Sequence, residues 1–341
     1  MVTQKDVASR AGVSFITVSR VVNGLGNVRE ETRERVLQVI QELNYHPNHM
    51  GKALKSGRNA TLGVVALRPF EMDLEANLYL IGLLDGIEKA ARAEHCDLLL
   101  STDSYLKPGQ DYLRLYHQRK VDGLVFVGFQ NIPPEQIAEI ESSGIPVIAI
   151  ADRPESPSIG WVDTDNHEAG RKAAAAVLAA GHRQTAFVSI RVENFSNQNV
   201  LDRRDGFVAA MAERQDAQCT LLEEELSEEG GREALRLFLK EPKRPTVVVC
   251  GNDNLALGLM KEAMAAGLEL PRDLSVVGFD AFLPGRFYHP DLASFRQPLT
   301  QMGTAAVELL SERICNPSGP KSTRLFSLDF IPGSSLKNQP S

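Results

Sequence analysis

Asp6-Val7-Ala8-Ser9-Arg10-Ala11-Gly12-Val13-Ser14-Phe15-Ile16-Thr17-Val18-Ser19-Arg20-Val21-Val22-Asn23-Gly24 is the stretch from which the chain is most readily read. Val7, Ala8 and Ala11 recur on one helical face, and Thr3 followed by Asp6 has the form of a capping pair. Gly12-Val13 interrupts that helix, and Ser14 is placed to cap a second one running about Phe15 to Val22. Val18, Val21 and Val22 supply its apolar face, and Asn23-Gly24 its stop. Two helices this short bury little alone, so a third must close the core. Residues 30–43 provide it, with Val36, Leu37, Ile40 and Leu43 at helical spacing. The fold expected of the N-terminus is therefore an all-α helix-turn-helix head.

The outer face of the second helix is unusual for a core element. Phe15, Ile16, Thr17 and Arg20 are set out from the valine stripe. The plain alternative is a helical hairpin inside a larger core. A helix end presenting hydroxyls and an arginine, however, suits a DNA major groove, where Arg takes guanine O6 and N7 together. Charge points the same way. Residues 1–60 hold nine Lys and Arg against five carboxylates, a surplus of four positive charges, so the remainder carries −11 of the total −7. A basic head on an acidic body implies that the head meets a polyanion which the body repels.

These residues carry a resemblance. Asp6-Val7-Ala8, Ala11-Gly12-Val13-Ser14 and Thr17 through Gly24, continued by Asn44-Tyr45 and Pro47-Asn48, resemble the lactose-repressor (LacI/GalR) family of transcriptional regulators. The resemblance implies that Phe15, Ile16 and Arg20 read base edges, while Ser14, Thr17 and Asn23 touch phosphates and position the helix. Phe15 and Ile16 can meet thymine methyls but cannot make a bidentate hydrogen bond, which leaves most direct readout to Arg20. Arg29 departs from the small capping residue usual in the family before the third helix. It weakens the cap and adds a candidate phosphate contact.

Residues 47–56 read as a short helix closed by Gly57, too short to be stable alone, and Gly51 costs it about 1 kcal/mol relative to Ala. One reading is a flexible basic linker. The resemblance implies instead a hinge helix that orders when two copies pair over the minor groove. Leu54 would then be the apolar wedge, with Lys52 and Lys55 near phosphates, and a small movement of the body could tip order to disorder.

From residue 60 strand-like runs alternate with helical ones, as in doubly wound α/β folds. The strands read 62–67, 98–100, 124–127 and 147–150, then 186–190, 247–250 and 276–279, with amphipathic helices between them. Near-continuous apolar strands imply parallel sheets covered on both faces, and two such units make two lobes with a crevice at the carboxyl ends of their strands. Asn252 through Gly258, Pro271 through Asp280, Asp165-Asn166 with Gly170, Gly181-His182-Arg183, and Arg203 ahead of Gly206-Phe207 resemble the periplasmic-binding-protein type of effector domain used by the same family. The resemblance runs to about Gly333. The expected organisation is a helix-turn-helix domain at 1–46, a hinge helix and linker at 47–59, a two-lobed effector-binding and dimerisation domain at 60–333, and a tail at 334–341. The N-lobe takes about 60–162 and 298–324, and the C-lobe about 163–297 and 325–333.

By the resemblance Asp152, Arg203, Asn252 and Asp280 occupy positions that can face an effector, with Arg153 adjacent. Carboxylates, amides and arginine suit sugar hydroxyls. Structural alternatives stand beside these readings: Asp253 caps the helix that follows, and Asp165 anchors a loop. Tyr79 either stacks on a sugar face or belongs to a helix core, and Trp161 reads as packing. His182 matches a structural position.

Other classes fit less well. No phosphate-binding glycine loop, zinc spacing or nucleophile elbow is present, so neither an enzyme nor a metal or cofactor site is expected. The four cysteines are scattered, and no apolar run approaches the roughly 18 residues of a membrane span. A free-standing solute-binding protein should carry a signal peptide and no helix-turn-helix; the sequence shows the reverse. A regulator whose crevice is empty or controlled by a partner protein stays open as the alternative. The expectation is thus a cytoplasmic, homodimeric, sequence-specific repressor. It would bind a pseudo-palindromic double-stranded operator and be governed by a small molecule, a sugar or sugar derivative, between the lobes.

Overall fold

The computed structural model describes residues 2–22, 24–26, 28–45, 58–66, 74–101, 110–128, 132–191, 198–317 and 319–339, with backbone alone at 74–77. The chain divides into two compact units, Met1–Asn59 and Ala60–Ser341.

The first unit holds α1 (Gln4–Ala11), α2 (Phe15–Val22) and α3 (Glu30–Glu42). Thr3 and Asp6 close a reciprocal capping box on α1, and Gly12 ends it in the left-handed conformation at φ 65°. Val7, Ala8, Ala11, Val18, Val21, Val36, Val39 and Tyr45 form the core. One expected core residue is elsewhere: Leu37 is 48% exposed, and Val39 takes its place. Residues 36, 39, 40 and 43 keep the i, i+3, i+4, i+7 stripe of α3, from which residue 37 is rotated by a hundred-degree step.

The second unit holds two six-stranded sheets. The first runs β11 (Thr323–Phe326), β5 (Gly160–Thr164), β4 (Val147–Ile150), β3 (Gly123–Val127), β1 (Thr61–Ala66) and β2 (Asp97–Leu100). All its pairings are parallel. The second runs β12 (Asp329–Ile331), β10 (Ala293–Arg296), β9 (Ser275–Asp280), β8 (Val247–Cys250), β6 (Gln184–Ile190) and β7 (Gln218–Glu224). It is parallel except for the antiparallel edge pair β10–β12. The α/β class expected of the body, two doubly wound parallel-sheet lobes, is the class observed. β3 and β4 are buried along their whole lengths, as strands covered on both faces must be.

The chain passes between the sheets three times: after β5, after β10 and after β11. β5, β7, β10, β11 and β12 are strands that the sequence pattern does not reveal. They are short or lie at the edges, where one-sided exposure removes the continuous apolar run. Residues 334–339, set apart in the sequence as a tail, are packed. Ser335 Oγ donates to Val276 O at 2.6 Å and accepts from Ala293 N at 2.8 Å, and His182 contacts Lys337 O at 3.0 Å.

Among the described residues nine further helices lie around the sheets: α4 (Leu74–Ala93), α5 (Arg114–His117), α6 (Pro134–Ser143), α7 (Asn166–Ala179), α8 (Gln198–Ala212), α9 (Glu228–Lys240), α10 (Asp253–Ala265), α11 (Leu283–Phe287) and α12 (Leu299–Cys315). Three helix pairs share one packing device. Gly86 and Gly303 join α4 to α12, Gly170 and Gly206 join α7 to α8, and Gly231 and Gly258 join α9 to α10. At each of these glycines an added Cβ would overlap the backbone of the facing helix. Glycine here permits close backbone approach rather than an unusual φ. No helix among the described residues is long and apolar enough to cross a membrane.

Candidate functional site

In the head, α2 is held at both ends of its apolar stripe: Val18 and Val21 are buried, while Phe15 and Ile16 are 49% and 63% exposed and Arg20 is exposed. Ile16 and Arg20 are four residues apart and so lie on one outer face. Ser14 caps the helix. Its Oγ accepts from Thr17 N at 3.1 Å and lies 2.9 Å from Thr17 Oγ1, so the two hydroxyls expected at phosphates also satisfy the helix start. Arg29 is the non-helical residue before α3, exposed, with no side-chain cap bond. Arg10 and Arg33 have carboxylate partners in Glu42 and Glu30; Arg20 has none among the described ion pairs. Asn23 and the hinge residues Lys52, Leu54 and Lys55 lie outside the described residues.

In the body, each sheet has a point where strand order reverses: β1 lies between β2 and β3, and β6 between β7 and β8. Crevices form at the carboxyl ends of strands at such points. In the second lobe those ends bring Ser189–Arg191, Gly251–Asn252 and Asp280 together with Arg203 from α8.

Arg203 is 3% exposed. Its Nε donates to Asn166 Oδ1 at 2.8 Å, and its NH1 donates to Gly251 O at 2.8 Å and lies 4.0 Å from Asp280 Oδ1. The guanidinium also stacks over Phe279, 4.9 Å from the ring centroid. Burial pulls its pKa down from the ordinary arginine value, opposed first by Asp280 and then by Tyr79, Asp163 and Asp253. Local packing explains this placement. Gly170 and Gly206 let α7 lie against α8, and Asp165 caps α7 by accepting from Glu168 N at 3.0 Å, which sets Asn166 opposite Arg203. Tyr79, half-buried on α4, packs against the core of the first lobe. It is still near enough to contribute electrostatically to Arg203.

Asp280 closes β9 at φ 118° and accepts from Gln297 Nε2 at 2.5 Å. Asp152 is half-buried just after β4. Arg153 has donors committed to the crossover strand: Nε to Asp163 Oδ2 at 2.6 Å and NH2 to Thr164 O at 2.6 Å, with its guanidinium 5.4 Å from the Trp161 ring centroid. Burial raises the pKa of Asp163, with Arg153 the main opposing charge. Trp161 packs in the first lobe.

The capping role expected of Asp253 falls to its neighbour. The cap of α10 is Asn252, whose Oδ1 accepts from Leu255 N at 2.9 Å. Asp253 is instead buried inside the helix start and accepts from Phe282 N at 2.7 Å and Ser294 Oγ at 2.6 Å. Burial first, and Asp280 second, push its pKa well above the usual carboxylate range. Its partners are 29 and 41 residues away, which no local pattern reveals.

Further polar groups lie at the crevice that no sequence motif marks. Asn199 Nδ2 donates to Ala151 O at 3.0 Å, joining α8 to the loop after β4. Thr164 Oγ1 and Ser189 Oγ are buried without a hydrogen-bond partner in the protein. Both stand at strand ends, where a bound hydroxyl or a water would satisfy them. The signal available in sequence was position alone: a hydroxyl at the end of an apolar strand.

Comparison with known proteins agrees with both units. The model for "Bacterial regulatory proteins, lacI family" matches residues 3–48, and that for "Periplasmic binding proteins and sugar binding domain of LacI family" matches residues 74–329. The catabolite control protein A of Priestia megaterium is 32% identical, over 91% of this chain and 92% of its own length. The HTH-type transcriptional repressor PurR of Erwinia tasmaniensis is 34% identical, over 92% of this chain and 91% of its own. A solved lac repressor dimer, bound to operator and the anti-inducer ONPF, matches with a TM-score of 0.81 at 23% identity, over 98% of this chain and 99% of that one.

Proposed function

From the premise that this chain belongs to the LacI family of bacterial regulatory proteins, we propose that it is a repressor whose hold on operator DNA is set by a sugar or sugar derivative in the interlobe crevice. The chain is a DNA-binding transcriptional repressor of that family, whose members are regulators rather than enzymes.

The observation that carries the effector reading is the buried Arg203 beside Asp280. A fully desolvated fork donor and a carboxylate acceptor at the carboxyl ends of parallel strands offer a polyol hydroxyl both hydrogen-bonding senses. Asp152, Asn252, Arg153 and Tyr79 complete the proposed contact set, although Asn252 and Arg153 also hold structural bonds. Binding that alters the angle between lobes changes operator affinity, and operator changes effector affinity by the same factor. A thermal-shift panel of D-ribose, D-glucose, D-galactose and D-xylose on the full chain tests this. A bound sugar at about a hundredfold above its Kd is expected to add about 2.7 kcal/mol of stability. Asp280→Ala should abolish that shift, and a shift that survives the substitution removes Asp280 from the contact set.

For the head, exposed Phe15, Ile16 and Arg20 on a helix pinned by its own core support major-groove reading, with Ser14, Thr17, Asn23 and Arg29 at phosphates. Arg20→Ala is expected to cost about 1–3 kcal/mol on an operator selected from random duplexes and to flatten preference at one base pair. Equal weakening on every duplex would instead make Arg20 a phosphate contact. The hinge role of Leu54, Lys52 and Lys55 is part of the same proposal. So is the homodimer, by which two heads meet the half-sites of a pseudo-palindromic operator. The lac repressor, which shares the fold, was solved as such a dimer on operator. Phe287 and Leu283, 78% and 64% exposed on α11, are apolar side chains that a second copy would cover.

A further inference from the structure

The turn that presents Asp280 has two successive non-glycine residues at positive φ, Asp280 at 118° and Ala281 at 54°. Such a backbone persists only where its surroundings over-determine it. The surroundings here are a buried triangle. Asp253 Oδ2 accepts from Phe282 N at 2.7 Å, Asp253 Oδ1 accepts from Ser294 Oγ at 2.6 Å, and Ser294 Oγ accepts from Ala281 N at 3.0 Å. The amides of both residues that follow Asp280 are thereby tied to one carboxylate, directly or through one hydroxyl.

Three features show that the arrangement is specific. Asp253 is not the cap of its helix, since Asn252 does that work, so its carboxylate is available for the turn. Gly278 of β9 is directly opposite Ser294 in the β9–β10 register, and a Cβ on Gly278 would overlap Asp253 Oδ1. The strand is therefore bare at the one place the carboxylate must lie. Both oxygens face donors, a pattern that a carboxylate satisfies and an amide does not.

We infer that Asp253, acting through Ser294 and the Ala281–Phe282 amides, is the positioning residue that holds the Asp280 carboxylate toward Arg203. The inference rests on the reading of Asp280 as an effector contact. With the turn released, Ala281 and Phe282 relax to ordinary backbone, and the Asp280 carboxylate leaves both Gln297 Nε2 and Arg203.

The test uses the full chain and does not need the effector. Amide hydrogen exchange is followed at Ala281 and Phe282 in wild type, Asp253→Asn, Ser294→Ala and Ser294→Thr. Exchange at both amides is expected to rise about tenfold or more in Asp253→Asn and Ser294→Ala, while β8 and the distal half of α10 keep their protection. Ser294→Thr, which retains the hydroxyl, should restore protection that Ser294→Ala loses. A crystal structure of Ser294→Ala should show Asp280 away from Arg203. Unchanged exchange at Ala281 and Phe282 in both Asp253→Asn and Ser294→Ala overturns the role. So does a loss spread evenly over β8, α10 and the turn in Ser294→Ala, because that is general destabilisation. Should the turn loosen as expected while Asp280→Ala leaves every sugar-induced shift intact, the positioning role stands and the effector contact falls.

Discussion

Arg203→Met is expected to destabilise the full chain by about 3–5 kcal/mol, the cost of removing one partner from a buried charged network. Methionine fills much of the same volume, so the loss is electrostatic rather than a cavity. Asn166 Oδ1 and Gly251 O each lose the donor they have at 2.8 Å, and the Asp280 carboxylate loses the cation 4.0 Å away. Unpaired buried acceptors account for part of the cost and the uncompensated anion for the rest. The double variant Arg203→Met with Asp280→Asn should recover part of the loss, because it removes the stranded charge; the departure of the double variant from the sum of the two single variants is the coupling of the pair. Urea unfolding of wild type, Arg203→Met, Asp280→Asn and the double variant measures it. Arg236→Met is the comparison, since Arg236 makes ion pairs to Glu229, Glu233 and Glu262 at the surface, where solvent screening leaves such pairs worth little. A loss for Arg203→Met no greater than that for Arg236→Met would mean that water already solvates the site.

The second large effect should come from one methyl group. Gly206→Ala is expected to cost about 3 kcal/mol, at the upper end of overpacking substitutions. The added Cβ would overlap His167 O, and Gly170 on the other helix of the pair is equally close to Arg203 O. Backbone cannot rotate out of the way as a side chain can, so the helices must separate. Separation moves Asn166 off Arg203, and Gly206→Ala should therefore also weaken any sugar-induced thermal shift. Gly26→Ala provides the control, with nothing within 4 Å of the new Cβ. Thermal unfolding distinguishes the two, and equal melting temperatures would show that α7 and α8 pack more loosely than this contact implies.

Glycines are also where sequence and structure diverge most instructively. Read along the chain, Gly206, Gly231 and Gly258 are weak points in helices, each unfavourable relative to alanine. Seen in three dimensions they are the points at which helix pairs touch. Helical periodicity reports which face of α8 turns inward but not how near the inward neighbour lies.

Much of the molecule follows from local patterns. Val7, Ala8, Ala11, Val18 and Val21 follow from helical spacing, the Thr3–Asp6 box and the turn at Gly12 from residue type alone, and the central strands from runs such as Val247–Cys250. The outward placement of Phe15, Ile16 and Arg20 follows too, because it is the complement of the valine stripe. These features depend on side chains within one or two turns, or on a strand's own alternation. The strands β5, β10, β11 and β12, which pass the chain between lobes, have no such pattern.

The crevice belongs to the other category. The resemblance to the family marks Arg203 and Asp280 as candidates, but only the packed lobes bring Arg203 to Asn166 and Gly251, 37 and 48 residues away. Folding likewise moves the cap expected at Asp253 to Asn252: the cap goes to whichever residue precedes the first helical turn, and the burial to whichever then faces β9 and β10. A one-dimensional pattern fixes a residue's face and its local bonds. Which distant acceptor a buried donor meets is set by the order of strands in the sheet and by the glycines that let helices close over it.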